Sequence, residues 1–103
     1  MKTIESVESF DEFISGSEIA IVLFATRDCA TCKPVELKLE KHFSDYKLTK
    51  VYLDDLKILA GRLSIFNVPV VSIFFQSKEL YRFIRVFSMD EIAEKLKRLK
   101  EFV

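Results

Sequence analysis

The chain contains no tryptophan, and among its 103 residues there are only two glycines, two prolines, two cysteines and one histidine. So few turn-forming residues indicate regular secondary structure along most of the chain. The 16 basic and 16 acidic side chains cancel, so the chain lacks the excess positive charge that favours binding to nucleic acid or to an anionic membrane. We therefore expect neither a nucleic acid nor a membrane among its partners.

The chain also lacks a long apolar segment. Its longest apolar run, Ile19–Ala25, has seven residues, far fewer than the roughly 20 that a membrane-spanning helix needs. Residues 1–13 show no apolar core and no cleavage site of the kind that a secretory signal carries. We therefore expect a cytoplasmic protein, and stable structural disulfides are rare in that compartment. Because half of the residues are hydrophobic, the length predicts a single domain over residues 1–103.

The apolar pattern predicts strands at four places. The continuous run Ile19–Ala25 is typical of a strand that is covered on both faces. Two further apolar runs, at 48–54 and 70–75, predict strands of the same kind. A turn then leads to an alternating segment at 79–86, which predicts the hairpin partner of the preceding strand.

Helices are predicted between these strands. Capping-box patterns at Ser9-x-x-Glu12 and Ser88-x-x-Glu91 predict the starts of the first and last helices, and the first is expected to begin near Ser6 or Ser9. Stripes with helical spacing predict the second, third and last helices: Cys32, Val35, Leu39, Phe43 and Tyr46; Leu56, Leu59, Leu63 and Phe66; Ile92, Leu96, Leu99 and Val103. The resulting order, (β)αβαβαββα, predicts an α/β fold with a mixed sheet of four to five strands and helices on both faces.

Both cysteines lie at one place, in the segment Thr26–Pro34 with the sequence TRDCATCKP. A buried strand ends there and a helix begins, and the free N–H groups at a helix start favour a thiolate. We expect Cys29 to be the more exposed sulfur, because Cys32 lies on the buried stripe of the helix. This arrangement suits thiol–disulfide exchange, in which one thiol attacks and the second resolves the mixed disulfide.

Other interpretations of the two cysteines remain open. A structural zinc site usually needs four ligands, whereas this chain offers two cysteines and one histidine, His42, which we expect at the surface. Two thiolates can carry Cu(I), but Arg27 stands where small copper carriers commonly have methionine, and the order of elements differs. The cysteines can also be two small apolar core residues at the start of a helix.

The sequence resembles the thioredoxin family over essentially its whole length. The resemblance is carried by Cys29–Cys32 (CATC) after a strand, by Val68-Pro69 at the start of another, and by the hairpin with its terminal helix. It implies a thioredoxin-like fold, a cis peptide bond at Val68–Pro69, no cofactor and no metal. It also implies a substrate-binding surface formed by Ala30, Thr31, Val68 and Pro69. The implied partners are a disulfide-bearing protein substrate and a thiol or disulfide reductase that donates electrons.

Several positions depart from the family's pattern. Asp28 replaces a tryptophan; its carboxylate opposes ionisation of Cys29, while Arg27 and Lys33 favour it, and the structural interpretation of Asp28 is a helix N-cap. Pro34 follows Cys32 earlier than the family's helix-kinking proline. A helix that begins near Cys32 or Lys33 accommodates Pro34 in its first turn, with Thr31 as a possible N-cap.

A second departure concerns proton transfer. Leu23 replaces a buried aspartate that, in thioredoxins, helps to move a proton to or from the resolving cysteine. Lys50 matches the lysine that faces this aspartate. Without its partner we expect Lys50 to point to solvent, because a buried unpaired lysine is costly; turned inward, it would favour the Cys32 thiolate.

These features predict a thiol–disulfide oxidoreductase in which Cys29 attacks and Cys32 resolves, with Asp28 and Lys50 as possible tuning residues. The alternative is a binding module of the same fold that recognises a protein partner through apolar surface around Ala30, Val68 and Phe87. The structural interpretation of Phe87 is a hydrophobic staple that precedes the Ser88 cap.

Overall fold

The computed structural model describes residues 1–103. Its elements are β1 (Thr3–Ile4), α1 (Val7–Ser15), β2 (Ala20–Ala25), α2 (Cys32–Phe43), β3 (Lys47–Tyr52), α3 (Lys57–Leu63), β4 (Val70–Phe75), β5 (Lys78–Ile84) and α4 (Met89–Lys100). The predicted order of elements is therefore confirmed, and the first strand is a pairing of two residues.

The five strands form one mixed sheet in the order β1-β3-β2-β4-β5. Strands β1 and β2 run parallel to β3, whereas β4 is antiparallel to both β2 and β5. All six residues of β2 are buried, which agrees with its prediction as a strand covered on both faces. The register pairs Phe24 of β2 with Val70 of β4, so the end of β2 and the start of β4 lie at the same edge of the sheet.

The two faces of the sheet carry separate hydrophobic clusters. Phe10 and Ile14 of α1 and Leu59 of α3 pack on one face together with Val22 and Phe24. The other face packs against α2 and α4, and its cluster consists of Ile19, Ile21, Leu23, Leu39, Phe43, Val71, Ile73, Ile92, Leu96 and Leu99. The predicted mixed sheet with helices on both faces is thus confirmed. No helix has the length and apolar character needed to span a membrane.

The start of the first helix differs from the capping pattern read at Ser9. The N-cap is Ser6, whose side-chain oxygen accepts a hydrogen bond from the backbone N–H of Ser9 at 3.0 Å. The Ser9-x-x-Glu12 pattern therefore lies inside the helix, and its assignment as the cap is wrong. The second pattern is confirmed, because Ser88 and Glu91 form a reciprocal capping box at the start of α4.

Four predicted stripe residues lie outside their helices: Tyr46 follows the end of α2 at Phe43, Leu56 precedes the start of α3 at Lys57, and Phe66 and Val103 lie beyond the ends of α3 and α4. Helix α3 ends at Leu63, and Ser64 takes a left-handed conformation, so the chain turns away before Phe66. Phe66 is 83% exposed and Val103, beyond the end of α4, is 56% exposed. The stripes were extended too far at their C-terminal ends, because spacing alone does not show where a helix stops.

The position of the N-cap gives a first testable prediction. Replacing Ser6 by Ala should lower the free energy of unfolding by about 1 kcal/mol, because the N–H of Ser9 loses its acceptor. The matched variant Ser9→Ala should stay within about 0.5 kcal/mol of the unmodified protein, as is usual for an exposed site. Urea titrations of both variants measure the difference; equal losses would contradict the cap assignment.

Candidate active site

The two cysteines follow β2 directly and lie where α2 begins. The backbone turns at this point, since the N–H of Cys29 donates to Thr26 O at 3.2 Å and that of Cys32 to Cys29 O at 3.3 Å. The sulfurs form a disulfide, and the two Cα atoms are 5.4 Å apart. Cys29 is half-buried and Cys32 is buried, so the first sulfur is the more accessible one, as expected.

Helix α2 begins at Cys32 with Thr31 in the N-cap position, and it accommodates Pro34 in its first turn. The side chain of Thr31 makes no capping bond; its hydroxyl instead lies 3.5 Å from Cys29 Sγ. The first turn also contains no acidic residue. The positive end of the helix dipole is therefore not offset by a carboxylate within the first turn of α2.

Asp28 does not serve as the N-cap of α2, so that interpretation is wrong. Its Oδ1 accepts a hydrogen bond from Thr26 Oγ1 at 2.8 Å, within the loop that precedes the helix. The proline in the first helical turn moves the helix start to Cys32, which leaves Asp28 too far upstream to reach the free N–H groups. Asp28 is exposed, so water screens its effect on Cys29.

The charge of Arg27 is paired with an acidic residue of the turn that follows β3. Its Nη2 lies 2.6 Å from Asp55 Oδ2, its backbone N–H donates to Asp54 Oδ2 at 3.0 Å, and its guanidinium lies 4.3 Å from the centre of the Tyr52 ring. The hydrogen bond between Arg27 and Asp55 raises the pKa of Arg27 and lowers that of Asp55. No local sequence pattern predicts this cluster, because Asp54 and Asp55 lie 27 and 28 residues away along the chain.

A cavity of about 190 Å³ lies beside the disulfide. It is lined by Ala25, Thr26, Arg27, Cys29, Cys32, Lys33, Glu36 and Tyr52. The cavity contains a charged residue that the helical stripe did not identify. Glu36 is not a member of the predicted apolar stripe of α2, but its side chain is only 8% exposed.

Glu36 is paired with Lys50 of β3. Lys50 Nζ lies 2.9 Å from Glu36 Oε1 and 3.1 Å from Oε2, and the Lys50 side chain is 12% exposed. Burial lowers the pKa of Lys50, but its interactions with Glu36 and Tyr52 outweigh burial and raise it. The expectation that Lys50 points to solvent is therefore wrong, because a carboxylate from the helix meets its charge inside the protein.

The counter-ion of Lys50 comes from α2 rather than from β2. Leu23 of β2 is the Cα partner of Lys50 in the sheet register, and its side chain is fully buried in the apolar cluster under α2 and α4. Glu36 follows Cys32 by one helical turn, so both side chains lie on the same face of α2. The buried residues of α2 are at positions 32, 36, 39 and 43. This helical spacing, three or four residues apart, is the signal in the sequence that could have identified Glu36 as an inward-facing residue.

Two of the residues expected to bind substrate, Ala30 and Thr31, lie between the two cysteines, and the other two, Val68 and Pro69, directly precede β4. Ala30 and Thr31 are exposed, Val68 is half-buried and Pro69 is buried. The peptide bond between Val68 and Pro69 is cis. Because Phe24 pairs with Val70, the chain enters β4 at the same edge where β2 leads into the cysteine loop.

Phe87 is less available to a partner than the alternative interpretation required. It is half-buried, its ring centre lies 6.0 Å from that of Phe83, and it packs against the cluster that contains Ile92. This contact supports its interpretation as a staple before the Ser88 cap. The neighbouring Val86 is 93% exposed instead.

The remaining candidate ligand lies elsewhere. His42 is exposed near the C-terminal end of α2 and lines a different cavity, between α2 and α4. No group of three or more histidine, cysteine, aspartate or glutamate side chains is arranged to hold a metal ion.

Comparison with known proteins gives a consistent result. The thioredoxin family model matches residues 2–98. The chain is 29% identical to a thioredoxin-like protein of Bacillus subtilis, YdfQ, over 96% of this chain and 91% of that protein. It is 30% identical to a thioredoxin of Chlamydia caviae, over 89% of this chain and 92% of the other. The crystal structure of thioredoxin from Trypanosoma brucei brucei superimposes with a TM-score of 0.81 at 23% identity, and the match covers 96% of this chain and 89% of that one. The chain therefore belongs to the thioredoxin family.

Proposed function

We propose that this protein reduces disulfide bonds of protein substrates, with Cys29 as the attacking cysteine and Cys32 as the resolving one. The observation that carries the proposal is the paired cysteines after β2, with one sulfur half-exposed and the other buried behind it. Membership of the thioredoxin family together with this close pair supports thiol–disulfide exchange as the general activity. Beyond this general activity, we propose the class of substrate, which is a disulfide-bearing protein, and the direction of electron flow, which is from this protein to the substrate.

The reaction begins with the dithiol form. The Cys29 thiolate attacks one sulfur of the substrate disulfide, forms a mixed disulfide and releases the first substrate thiolate, which takes a proton from water. Cys32 then loses its proton and attacks Cys29 Sγ, which forms the Cys29–Cys32 bond and releases the second substrate thiolate. Two electrons have passed to the substrate. A low-molecular-weight thiol or a disulfide reductase returns them, and no cofactor takes part.

The difference in burial assigns the two roles. A disulfide in a folded protein substrate can approach Cys29, which is half-buried, but not Cys32, which is only 5% exposed. The dipole of α2 and the hydroxyl of Thr31, 3.5 Å from Cys29 Sγ, both favour the Cys29 thiolate, because a hydrogen bond to the charged form stabilises it. Thiolate character and access together decide which thiol attacks.

The surface around Cys29 suits an extended substrate segment. Ala30 and Thr31 follow Cys29 in the loop after β2, and Val68 and Pro69 directly precede β4, which begins at the edge of the sheet where β2 ends. In this proposal the backbone of Val68 binds the substrate segment while Ala30 and Thr31 contact it from the other side. The proposed location is the cytoplasm, where a dithiol of this kind is kept reduced.

Binding without catalysis is a second candidate function. It is favoured by the exposure of Val86, at 93%, next to Arg85, whose N–H donates to Pro69 O at 2.8 Å. An apolar residue at this edge can contribute to a protein-binding surface. On this hypothesis, a partner that binds the unmodified protein still binds the variant in which both cysteines are replaced by serine.

Cysteine variants test the two roles. Cys29→Ser should abolish exchange with a disulfide-bearing peptide, because the accessible nucleophile is lost. Cys32→Ser should still attack but should accumulate the mixed disulfide, since no resolving thiol remains. Mass spectrometry of the reaction mixtures measures both species. Exchange that continues undiminished in Cys29→Ser would overturn the proposal.

The reduction potential tests the direction of electron flow. We expect a value of roughly −270 mV for the Cys29–Cys32 pair, typical of a reductant, rather than the roughly −120 mV of a strong dithiol oxidant. The reason is that the cations of the site are already paired with acidic groups, so they stabilise the reduced, thiolate form only weakly. Thiol counting in a series of thiol–disulfide buffers gives the value. A value near that of the oxidant would reverse the proposed direction, and no disulfide at any buffer ratio would leave only the binding role.

A further inference from the structure

We propose that Glu36, held by Lys50, accepts the proton of the Cys32 thiol when Cys32 resolves the mixed disulfide. This inference deepens the proposed function and rests on it. The observations behind it are the burial of the Glu36–Lys50 pair and the position of Glu36 in the lining of the cavity that Cys29 and Cys32 also line.

The cavity provides a short path for the proton. Cys32 and Glu36 lie one turn apart on α2, both are buried and both line the same space of about 190 Å³. Since a water molecule occupies about 30 Å³ in the liquid, the space can hold several. A base can act through one water as well as by direct contact. Arg27 and Lys33, both exposed, line the outer part of the cavity.

Glu36 has the acceptor capacity that this role requires. An ionised carboxylate has about four lone-pair sites, and the two hydrogen bonds of Glu36 both come from Lys50 Nζ. Lys33 Nζ lies 3.7 Å from Oε2, and its side chain is 66% exposed. Lone pairs therefore remain for a water molecule or a proton from the cavity.

Proton transfer inside the cavity leaves its net charge unchanged. Before the step, Cys32 is a neutral thiol, Glu36 is negative and Lys50 is positive; after it, Cys32 is a thiolate, Glu36 is neutral and Lys50 is still positive. No uncompensated charge is created in a buried place, where such a charge would be costly. Without Glu36, the proton of Cys32 must pass to bulk solvent, and the net charge of the buried groups changes in the step.

The other charged and titratable groups around the pair do not replace Glu36 as a base. Lys33 on α2 and Lys50 on β3 are cations, and Tyr52 on β3 lies under both Lys50 and Arg27. Arg27, from the loop before α2, is engaged by Asp55. On the neighbouring strand β2, Leu23 is apolar and fully buried. Glu36 is the only carboxylate among the residues that line the cavity.

Resolution of the mixed disulfide by Cys32 conserves atoms and electrons. The Cys32 S–H bond breaks and its proton goes to a Glu36 oxygen. The Cys32 sulfur forms a bond to Cys29 Sγ, and the bond between Cys29 and the substrate sulfur breaks. The substrate sulfur leaves with the electron pair as a thiolate. When a low-molecular-weight thiol or a reductase later reduces the Cys29–Cys32 bond, Cys32 leaves as a thiolate and recovers the proton from Glu36.

The test separates attack from resolution in rapid-mixing experiments with a disulfide-bearing peptide. Glu36→Gln keeps the shape of the side chain but removes the base, so resolution should slow at least tenfold at pH 7, because general-base catalysis typically contributes about 10²–10⁴-fold. Resolution should then rise about tenfold per pH unit between roughly pH 6 and 8, since hydroxide must take the proton. Attack by Cys29, measured in the Cys32→Ser background, should change less than about twofold.

Glu40→Gln is the matched control. Glu40 lies one turn further along α2 and pairs with the N-terminal ammonium of Met1 at 2.5 Å, outside the cavity. Its replacement should leave both the rate and the pH profile of resolution unchanged. Resolution at the unmodified rate and with the unmodified pH profile in Glu36→Gln would overturn the inference.

A double variant keeps the test decisive if Glu36→Gln does not fold. Glu36→Leu combined with Lys50→Met removes both charges, and apolar replacement of a buried pair is often neutral or stabilising. It should show the same slow, pH-dependent resolution, and normal resolution in this folded variant would equally overturn the inference. The proposed function and the role of Glu36 can fail independently. If the unmodified protein shows no attack that depends on Cys29, both proposals are wrong. If Glu36→Gln shows normal attack and normal resolution, only the role of Glu36 is wrong.

Discussion

The structure depends on the complete burial of β2. None of its six residues has access to solvent on either face, so helices must cover both sides of the sheet, and they do so with α1 and α3 on one face and α2 and α4 on the other. The strand must also end where polar residues begin, at Thr26. The cysteines follow at once, and α2 starts at the edge of the sheet because it has to return over β2. Because β2 is buried, Cys29 and Cys32 lie between the end of this strand and the first turn of α2.

The same constraint explains which features the sequence predicts well. The apolar run of β2, the segment Val70–Phe75 and the capping box at Ser88 are local patterns, and each corresponds to an observed element. The relative exposure of Cys29 and Cys32 also follows from a local property, because only Cys32 lies on the buried stripe of α2. These predictions succeed because a buried strand or helix face requires apolar residues at regular spacing, and that spacing is visible in the sequence.

The failures share a different cause. Lys50 turns inward because Glu36, 14 residues away in the chain, offers a carboxylate at 2.9 Å, and the guanidinium of Arg27 pairs with Asp55. No periodicity encodes such partners, because each pair forms only after α2 and the turn beyond β3 have packed on the sheet. Phe66 was assigned to a helical stripe because its spacing fits, although the left-handed Ser64 ends the helix first. The orientation of Lys50 and Arg27 depends on partners that are distant in the sequence, and the exposure of Phe66 depends on where the chain turns.

The Glu36–Lys50 pair is hard to explain by stability alone. Two buried charges must each give up their hydration, and the attraction between them commonly repays no more than this cost. On the sheet, the buried Leu23 of β2 is the register partner of Lys50. A leucine or methionine pair would therefore suit the contact between α2 and β3. A buried pair that contributes little to stability, with its carboxylate in the lining of the cavity beside the chain's only two cysteines, is better explained by the chemistry of those cysteines.

Charge pairing across the whole site leads to the same conclusion. Arg27 is held by Asp55, and Lys33 and Lys50 both face Glu36, so each cation near the cysteines has an acidic partner. A strong oxidant needs the opposite arrangement, in which unpaired positive charge stabilises the thiolate of the reduced form. Here the thiolate of Cys29 is favoured mainly by the start of α2 and by the hydroxyl of Thr31. The site thus combines a modestly activated nucleophile with a buried thiol beside a carboxylate, and this combination favours a dithiol that gives its electrons away.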